Sequence, residues 1–303
     1  MNQNLSDNRV FFIINQCSGR NYQQNLEDKL LSRCRQNGLQ PTVEFTAHPG
    51  HATELAKKAA HNQYPVIFAV GGDGTVNEVA NGLIHTPAAM GILPNGSGNG
   101  LARHLKIPMN PLKAFDLLHT GTTMSMDGML INGRYSFNVA GIGFDGYIAE
   151  QFGRNGKRGL VGYLMTVMRE FPRFREFPLE AMVDGSPLHD RLLIAAVANS
   201  SQFGNGATIA PAASICDGKM DICLIHKVSY FRAVHFLTQL FTGKLDRSPS
   251  VKIFQATEFN VVLKHPVCYH IDGEPCGATT LFSATLDPGC LNIITPDPST
   301  GKE

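Results

Sequence analysis

The first third of the chain alternates short unbroken apolar runs with longer stretches whose apolar residues recur every three or four positions. "RVFFIIN" predicts a buried strand that ends in the polar turn "QCSGR". Leu26, Leu30 and Leu31 then recur at helical spacing, and Gly38 closes that helix as a C-terminal cap. "PTVEFT" predicts a second strand, "HATELAKKAAHN" a second helix and "YPVIFAV" a third strand. Past Gly74, residues Val76, Val79, Ala80 and Leu83 form one helical stripe, which puts Asn77, Glu78 and Asn81 on faces nearer the loop and solvent. "MGIL" predicts another strand, and Asn110 before Pro111 caps a further helix that buries Leu112, Phe115 and Leu118. Strands alternating with helices predict a parallel sheet with helices on both faces.

Beyond about residue 123 the texture changes. "MSMDGMLING", "RYSFNVAGIGF", "LEAMVDGSPLHDRLLIAAVAN", "KMDICLIHKV", "EFNVVLK" and "CYHIDGEP" are short strand-like runs broken by turn signals. "VDGS" and "INGR" have the composition of hairpin turns. The pattern predicts an antiparallel β domain with helical inserts near 157–170 and 229–243, and a domain boundary near 122–126.

Composition narrows the class. The chain has 303 residues, 43% of them hydrophobic and 17% charged, with a net charge of +1. That length gives one large domain or two of ordinary size, and the charge gives no reason to expect nucleic acid. Seven scattered cysteines with no C-x-x-C pair indicate neither a disulfide framework nor a zinc site. Reduced thiols of a cytoplasmic protein are the plain reading. The polar opening "MNQNLSDNR" lacks the layout of a secretion signal. The longest apolar runs are far short of the ~20 residues that span a bilayer.

The chemistry gathers in the turns. "NQCSG" (15–19), "GGDGT" (71–75) and "PNGSGNG" (94–100) each follow the end of a predicted parallel strand, where such sheets bind ligands. Glycines let a backbone turn its N–H groups toward phosphate, and Ser18, Thr75 and Ser97 add hydroxyl donors. The spacing is neither G-x-x-x-x-G-K-[ST] nor G-x-G-x-x-G, and the loops carry no lysine. A magnesium ion near acidic groups, with Asp73 among them, would offset the charge instead.

Four blocks taken in order resemble the diacylglycerol kinase catalytic family, which includes bacterial lipid kinases, sphingosine kinases and ceramide kinases. They are the pair "VGGDGTVNEVANGL" and "GILPNGSGNGLARHL", then "SMDGMLINGRYSFNVAGIGFDGYI" (125–148), "VANSSQFGNGATIAPAASICDGKMDI" (197–222) and "DGE" at 272–274. The resemblance covers nearly the whole chain. It implies an α/β fold: an N-terminal parallel three-layer nucleotide-binding domain (1–124, rejoined by 286–303) and a C-terminal antiparallel β-sandwich domain (125–285) for the lipid. It implies an ATP site at Asn15, Gln16, Cys17, Ser18, Gly19, Thr46, Gly72, Asp73, Gly74, Thr75, Val76, Asn77, Glu78 and Ser97. It implies Glu274 as the general base for the acceptor hydroxyl, with Asp73 as its catalytic companion in a water and magnesium network that Asp127 joins. A structural magnesium ion would sit at Asp217, with the main-chain carbonyls of Ser214 and Lys219. Asp145 falls where sphingosine kinases place an acid facing the lipid head group, a role set against a capping or structural one. Where many bacterial members read G-T-x-N-D-x-A-R, this chain reads "GSGNGLAR", with Gly100 at the aspartate position.

The expected activity is ATP-dependent phosphorylation of a lipid hydroxyl, on a diacylglycerol-like or sphingoid acceptor presented at a membrane surface. The protein would be cytoplasmic and peripheral at the inner face of the membrane, with room left for a homodimer and no nucleic-acid partner. A carboxylate within reach of the alcohol takes its proton as transfer proceeds. Lys157 and Arg158 fit a solvated basic loop, or a contact to the nucleotide's phosphates or to anionic membrane lipid, and His265, Cys268, His270 and Cys276 fit a packed strand edge, with metal binding as the alternative. "EFPRFREF" and the stripe of Phe231, Val234 and Leu237 fit either an interfacial surface or packing on the protein's own sheet. Two rivals stand: a soluble metabolite kinase related to NAD kinase and phosphofructokinase, and a homologue that has lost catalysis.

Overall fold

Residues 10–14 are buried without a break, a run suited to a strand covered on both faces. In the computed structural model, which describes residues 7–18, 25–154 and 160–298, they form β1 (Arg9–Ile14). α1 (Leu26–Gln36), β2 (Gln40–Phe45), α2 (His51–His61), β3 (Val66–Gly71), α3 (Asp73–Leu83) and β4 (Ala89–Pro94) follow in strict alternation, then the short helices α4 (Gly100–His104), α5 (Pro111–Phe115) and α6 (Leu117–Thr120). The chain divides into two compact units, Met1–Met126 with Gly289–Glu303 and Asp127–Pro288.

In the first unit β1 pairs in parallel with β2 on one side and β3 on the other, and β3 pairs in parallel with β4. The strand order therefore reverses direction between β1 and β3. Phe12 and Phe68, from neighbouring strands, stack with ring centres 5.0 Å apart, and Phe115 of α5 closes on Phe68 at 5.4 Å. Helices α2 and α3 approach closely because Gly82 has no side chain: a Cβ there would come within 2.5 Å of Ala56 Cβ. Asn110 caps α5 as its sequence predicts, accepting the N–H groups of Leu112 and Lys113.

The second unit is antiparallel. Its elements are β5 (Gly121–Ile131), β6 (Arg134–Ser136), β7 (Val139–Gly143), α7 (Phe144–Arg154), α8 (Leu160–Glu170), β8 (Phe177–Val183), β9 (Ser186–Leu192), β10 (Ile194–Ala198), β11 (Met220–Ile225), α9 (Tyr230–Phe241), β12 (Val251–Ala256), β13 (Glu258–Ile271) and β14 (Glu274–Pro296). The strands β12, β11, β10, β7, β13 and β14 pair in that order, and β8 and β9 extend from β13. Three hairpins turn on Asn132-Gly133, Asp184-Gly185 and Asp272-Gly273, each with both residues at positive φ. This is the twist-matched two-residue turn that an Asn or Asp before Gly favours. Phe259 and Phe282 meet edge to face in the core.

Helix α7 is absent from the periodicity reading. The apolar run of β7 continues through Phe144 without a polar break, so its sequence looks like more strand. Gly143, at φ +119, ends the strand, and α7 starts at the next residue. The chain passes between the units twice, within β5 and within β14, whose last part pairs in parallel with β4 through Asn292 and Ile293. Among the described residues no helix is long and apolar enough to cross a membrane.

Candidate active site

Three loops leave the C-terminal ends of β1, β3 and β4, and their own polar groups tie them together. Asn15 donates its side-chain N–H to Thr75 Oγ1 (3.0 Å) and accepts the Cys17 N–H at its Oδ1 (2.9 Å). Ser18 donates its hydroxyl to Asn15 O (2.7 Å), and Asn95 Nδ2 lies 3.5 Å from Ser18 Oγ. Main-chain bonds from Asn15 to Val70 and from Asn95 to Gly71 carry the sheet ladder into the loops. The crevice outside β1 and β3, where strand order reverses, is the ordinary ligand position of such a sheet.

The aspartate in the middle of the central loop faces the third loop. Asp73 Oδ2 accepts the Asn99 N–H (2.8 Å) and Oδ1 the Gly100 N–H (2.6 Å), so its carboxylate sits at the N-terminus of α4. The two loops also touch through bare backbone. A Cβ on Gly96 would lie 2.5 Å from Gly72 Cα, and one on Gly98 would lie 2.6 Å from Asp73 Oδ2. Asn99, at φ +52, bonds Gly96 through both ends of its amide. Glycine at these positions serves close approach between the loops.

The remaining expected nucleotide positions scatter around this frame. Gly72 is the N-cap of α3, and Thr75 and Val76 are buried in that helix's first turn. Asn77 Oδ1 accepts from Asn81. Thr46 continues the β1–β2 ladder by donating its N–H to Ile14 O. Gln16, Cys17 and Ser97 are exposed; Gly19 lies outside the described residues, as do Lys157 and Arg158. Glu78 has a task of its own: Oε1 accepts the Gly50 N–H (2.9 Å) and Oε2 the Ala52 N–H (3.1 Å), so it caps α2.

In the second unit Asp127 is buried. Its N–H donates to Ile215 O (2.7 Å), and its Oδ2 accepts the Gly218 N–H (2.8 Å). It thereby holds the turn of Ser214, Asp217 and Lys219. Asp217 Oδ1 accepts the Lys219 N–H and Oδ2 accepts from Gln255 Nε2. Burial and then the neighbouring Asp217 charge push the Asp221 carboxyl up to about 6. Glu274 is exposed, directly after the turn on Asp272 and Gly273. Asp145 is buried at the start of α7. Its Oδ1 accepts the Gly146 N–H and its Oδ2 lies 3.2 Å from His270 Nε2.

Residues 9–131 match the model of the diacylglycerol kinase catalytic domain, and residues 138–295 match that of the YegS C-terminal NAD kinase beta sandwich-like domain. The chain belongs to the diacylglycerol kinase catalytic family. It is 28% identical over 271 residues to the diacylglycerol kinase of Bacillus subtilis strain 168, covering 88% of this chain and 89% of that one. It is 29% identical over 276 residues to a probable YegS-like lipid kinase of Chromohalobacter salexigens, covering 89% and 88%. A solved structure from Bacillus anthracis str. Sterne superposes with a TM-score of 0.81 at 23% identity, over 97% of this chain and 99% of that one. A second, described as a diacylglycerol kinase from the same organism, gives 0.73 at 20% identity, over 97% and 98%. The matched family and these relatives are named as kinases, and the α/β fold with its C-terminal β-sandwich-like half is that of this chain.

Within this family member one position carries more than its sequence suggested. Asp272 accepts the Ser136 hydroxyl (2.6 Å) and the N–H groups of Phe137, Asn138 and Val139 (3.0, 3.0 and 3.1 Å). It anchors the turn that carries Glu274. A D-G hairpin signal marks the turn, but nothing in the local sequence marks residues 136–139 as its dock.

Proposed function

We propose that the protein transfers the γ-phosphate of ATP to a hydroxyl of a diacylglycerol-like or sphingoid lipid, with residues 1–124 and 286–303 holding the nucleotide and 125–285 the lipid. One observation carries the nucleotide half: three tied loops at the switch point of a parallel sheet, one opening directly into α3. Backbone N–H groups there, with Ser18, Thr75 and Ser97, suit phosphate oxygens. The Gly100 departure leaves this frame intact, because its contribution is a backbone N–H to Asp73.

Glu274 is the base in this reading: it accepts the proton of the lipid hydroxyl as the new phosphate ester bond forms and ADP departs. Catalysis of such transfers rests on positioning and on stabilising phosphoryl charge. Mg2+ supplies that stabilisation when bound. The residues of the 214–219 turn fit a structural ion as well. They offer a carboxylate and carbonyl oxygens, the ligands such cations prefer, and two acids crowd each other at Asp217 and Asp221.

Presentation of the lipid at a membrane is supported by the surface of α8 and α9. Met165, Met168, Val234 and Phe231 are 58–93% exposed, and a cavity of about 460 Å³ is lined by Phe171 and Pro172, just past the end of α8, and by Lys227, Val228 and Ser229, just before α9. Exposed apolar side chains, with Lys227 at the cavity, suit a lipid interface.

Radiolabelled ATP offered with diacylglycerol or sphingosine in mixed micelles, and separately with NAD, tests the reading. Label is expected in the lipid phosphate. Label only in NADP would replace this function by that of a soluble metabolite kinase, and label in neither would favour a homologue without catalysis.

A further inference from the structure

The β13 strand ends in a buried acid–imidazole pair whose second bond reaches the turn bearing Glu274. His270 and Asp145 are 2% and 5% exposed. Nδ1 of His270 accepts the Gly273 N–H at 3.2 Å, and Nε2 faces Asp145 Oδ2 at 3.2 Å. A ring nitrogen that accepts carries no proton, so the neutral ring holds its proton on Nε2, pointing at the carboxylate. The pocket is shaped for the pair. Gly141 lies opposite His270 across the β7–β13 ladder, and a Cβ there would collide with Asp145 Oδ2. Gly146 lets α7 lie directly on the backbone of Cys268 and Tyr269.

We propose that the Asp145–His270 pair is a positioning device for the base: Asp145 fixes the imidazole tautomer, and the imidazole fixes the peptide plane one residue before Glu274. Asp272 pins the same turn from the 136–139 side, so the short segment is held at two consecutive residues. Both oxygens of Asp145 are engaged inside the protein, by Gly146 and His270. The acid acts here through the turn. A buried charged or polar pair costs desolvation free energy, and here it yields a base with a defined direction on an exposed hairpin. This inference rests on the reading of Glu274 as the base.

Two amides separate the ring's functions. In His270→Asn the side-chain oxygen can stand near the Nδ1 position and accept the Gly273 N–H. In His270→Gln the amide reaches the Nε2 position and keeps only the Asp145 contact. His270→Gln is expected to lower kcat about 10- to 100-fold, the cost of a slightly misplaced reacting group, with KM for ATP unchanged. His270→Asn should recover most of that loss although both variants lose thermal stability. In a Glu274→Gln background, His270→Gln should cost nothing further. Equal kcat for the two His270 variants, following Tm alone, overturns the proposal and leaves Glu274 as base. Full activity of Glu274→Gln overturns both. Should His270→Gln fail to fold, 15N NMR of the intact wild-type protein decides: a hydrogen-bonded, unprotonated Nδ1 is expected, and a ring protonated at Nδ1 overturns the assignment.

Discussion

The carboxylate of Asp73 grips the N–H groups of Asn99 and Gly100, so the acid at the centre of one glycine-rich loop is the clasp of the next. Removing it frees two N–H donors and lets α4 drift from α3. Hydrogen bonds to charged groups are worth about 1.5–3 kcal/mol. Asp73→Ala is expected to raise KM for ATP and lower kcat together, with a fall in Tm, whereas Asp73→Asn, which keeps one acceptor, should fall between. Steady-state kinetics beside differential scanning fluorimetry checks this.

The bare contact between Gly72 and Gly96 predicts a cleaner defect. Gly96→Ala forces a methyl to within 2.5 Å of Gly72 Cα and 2.9 Å of Asn99 Oδ1. The loops must part by a fraction of an ångström. Nucleotide affinity by calorimetry should drop about tenfold or more, some 1.4 kcal/mol, while circular dichroism stays that of the wild type.

Glu78 serves α2 from a helix that begins in the central glycine-rich loop. Glu78→Ala leaves the Gly50 and Ala52 N–H groups without this carboxylate. Loss of a helix cap costs about 0.5–2 kcal/mol, or roughly 1–3 °C in Tm for a chain of this size. Glu78→Gln, with one acceptor oxygen, should recover part of the loss. Thermal melts without nucleotide are the measurement, and an unchanged Tm in Glu78→Ala would remove the capping role.

Cysteine reactivity should divide by site. Burial pushes the Cys34 thiol up to about 11, and a higher pKa leaves less of the reactive thiolate at any given pH. At pH 8 only about one part in a thousand of such a thiol is ionised. Cys17 and Cys216 are exposed. Iodoacetamide at pH 8 should therefore label Cys17 and Cys216 first, with Cys34 spared until the protein unfolds, as read by peptide mass spectrometry.

Local chemistry made much of this molecule legible. Apolar runs such as "VFFII" and "VIFAV" can hide only between helices, and the N-G or D-G pairs at 132–133, 184–185 and 272–273 mark hairpins. Glycine loops at strand ends announced the crevice because their position follows from the fold class. What stayed hidden depends on distant partners. Asp73 as a clasp on residues 99 and 100, Glu78 as the cap of α2, and Asp272 docked on residues 136–139 all join segments at least 26 residues apart. The run into α7 stayed hidden for another reason: a strand and a helix that are both apolar share one composition, and only Gly143 separates them.

The C-terminal part of β14 lies beside β4, so the parallel sheet of the first unit is extended by a strand from the opposite end of the chain. A fragment ending near residue 126 would uncover the backbone edge of β4 at Ala89 and Met90, in a strand whose six residues are all buried in the intact protein. Raw edges of that kind recruit other chains. The practical corollary is a matter of engineering: an isolated catalytic half needs residues 289–296 supplied back, by circular permutation or as a peptide in trans, before it can be expected to remain monodisperse.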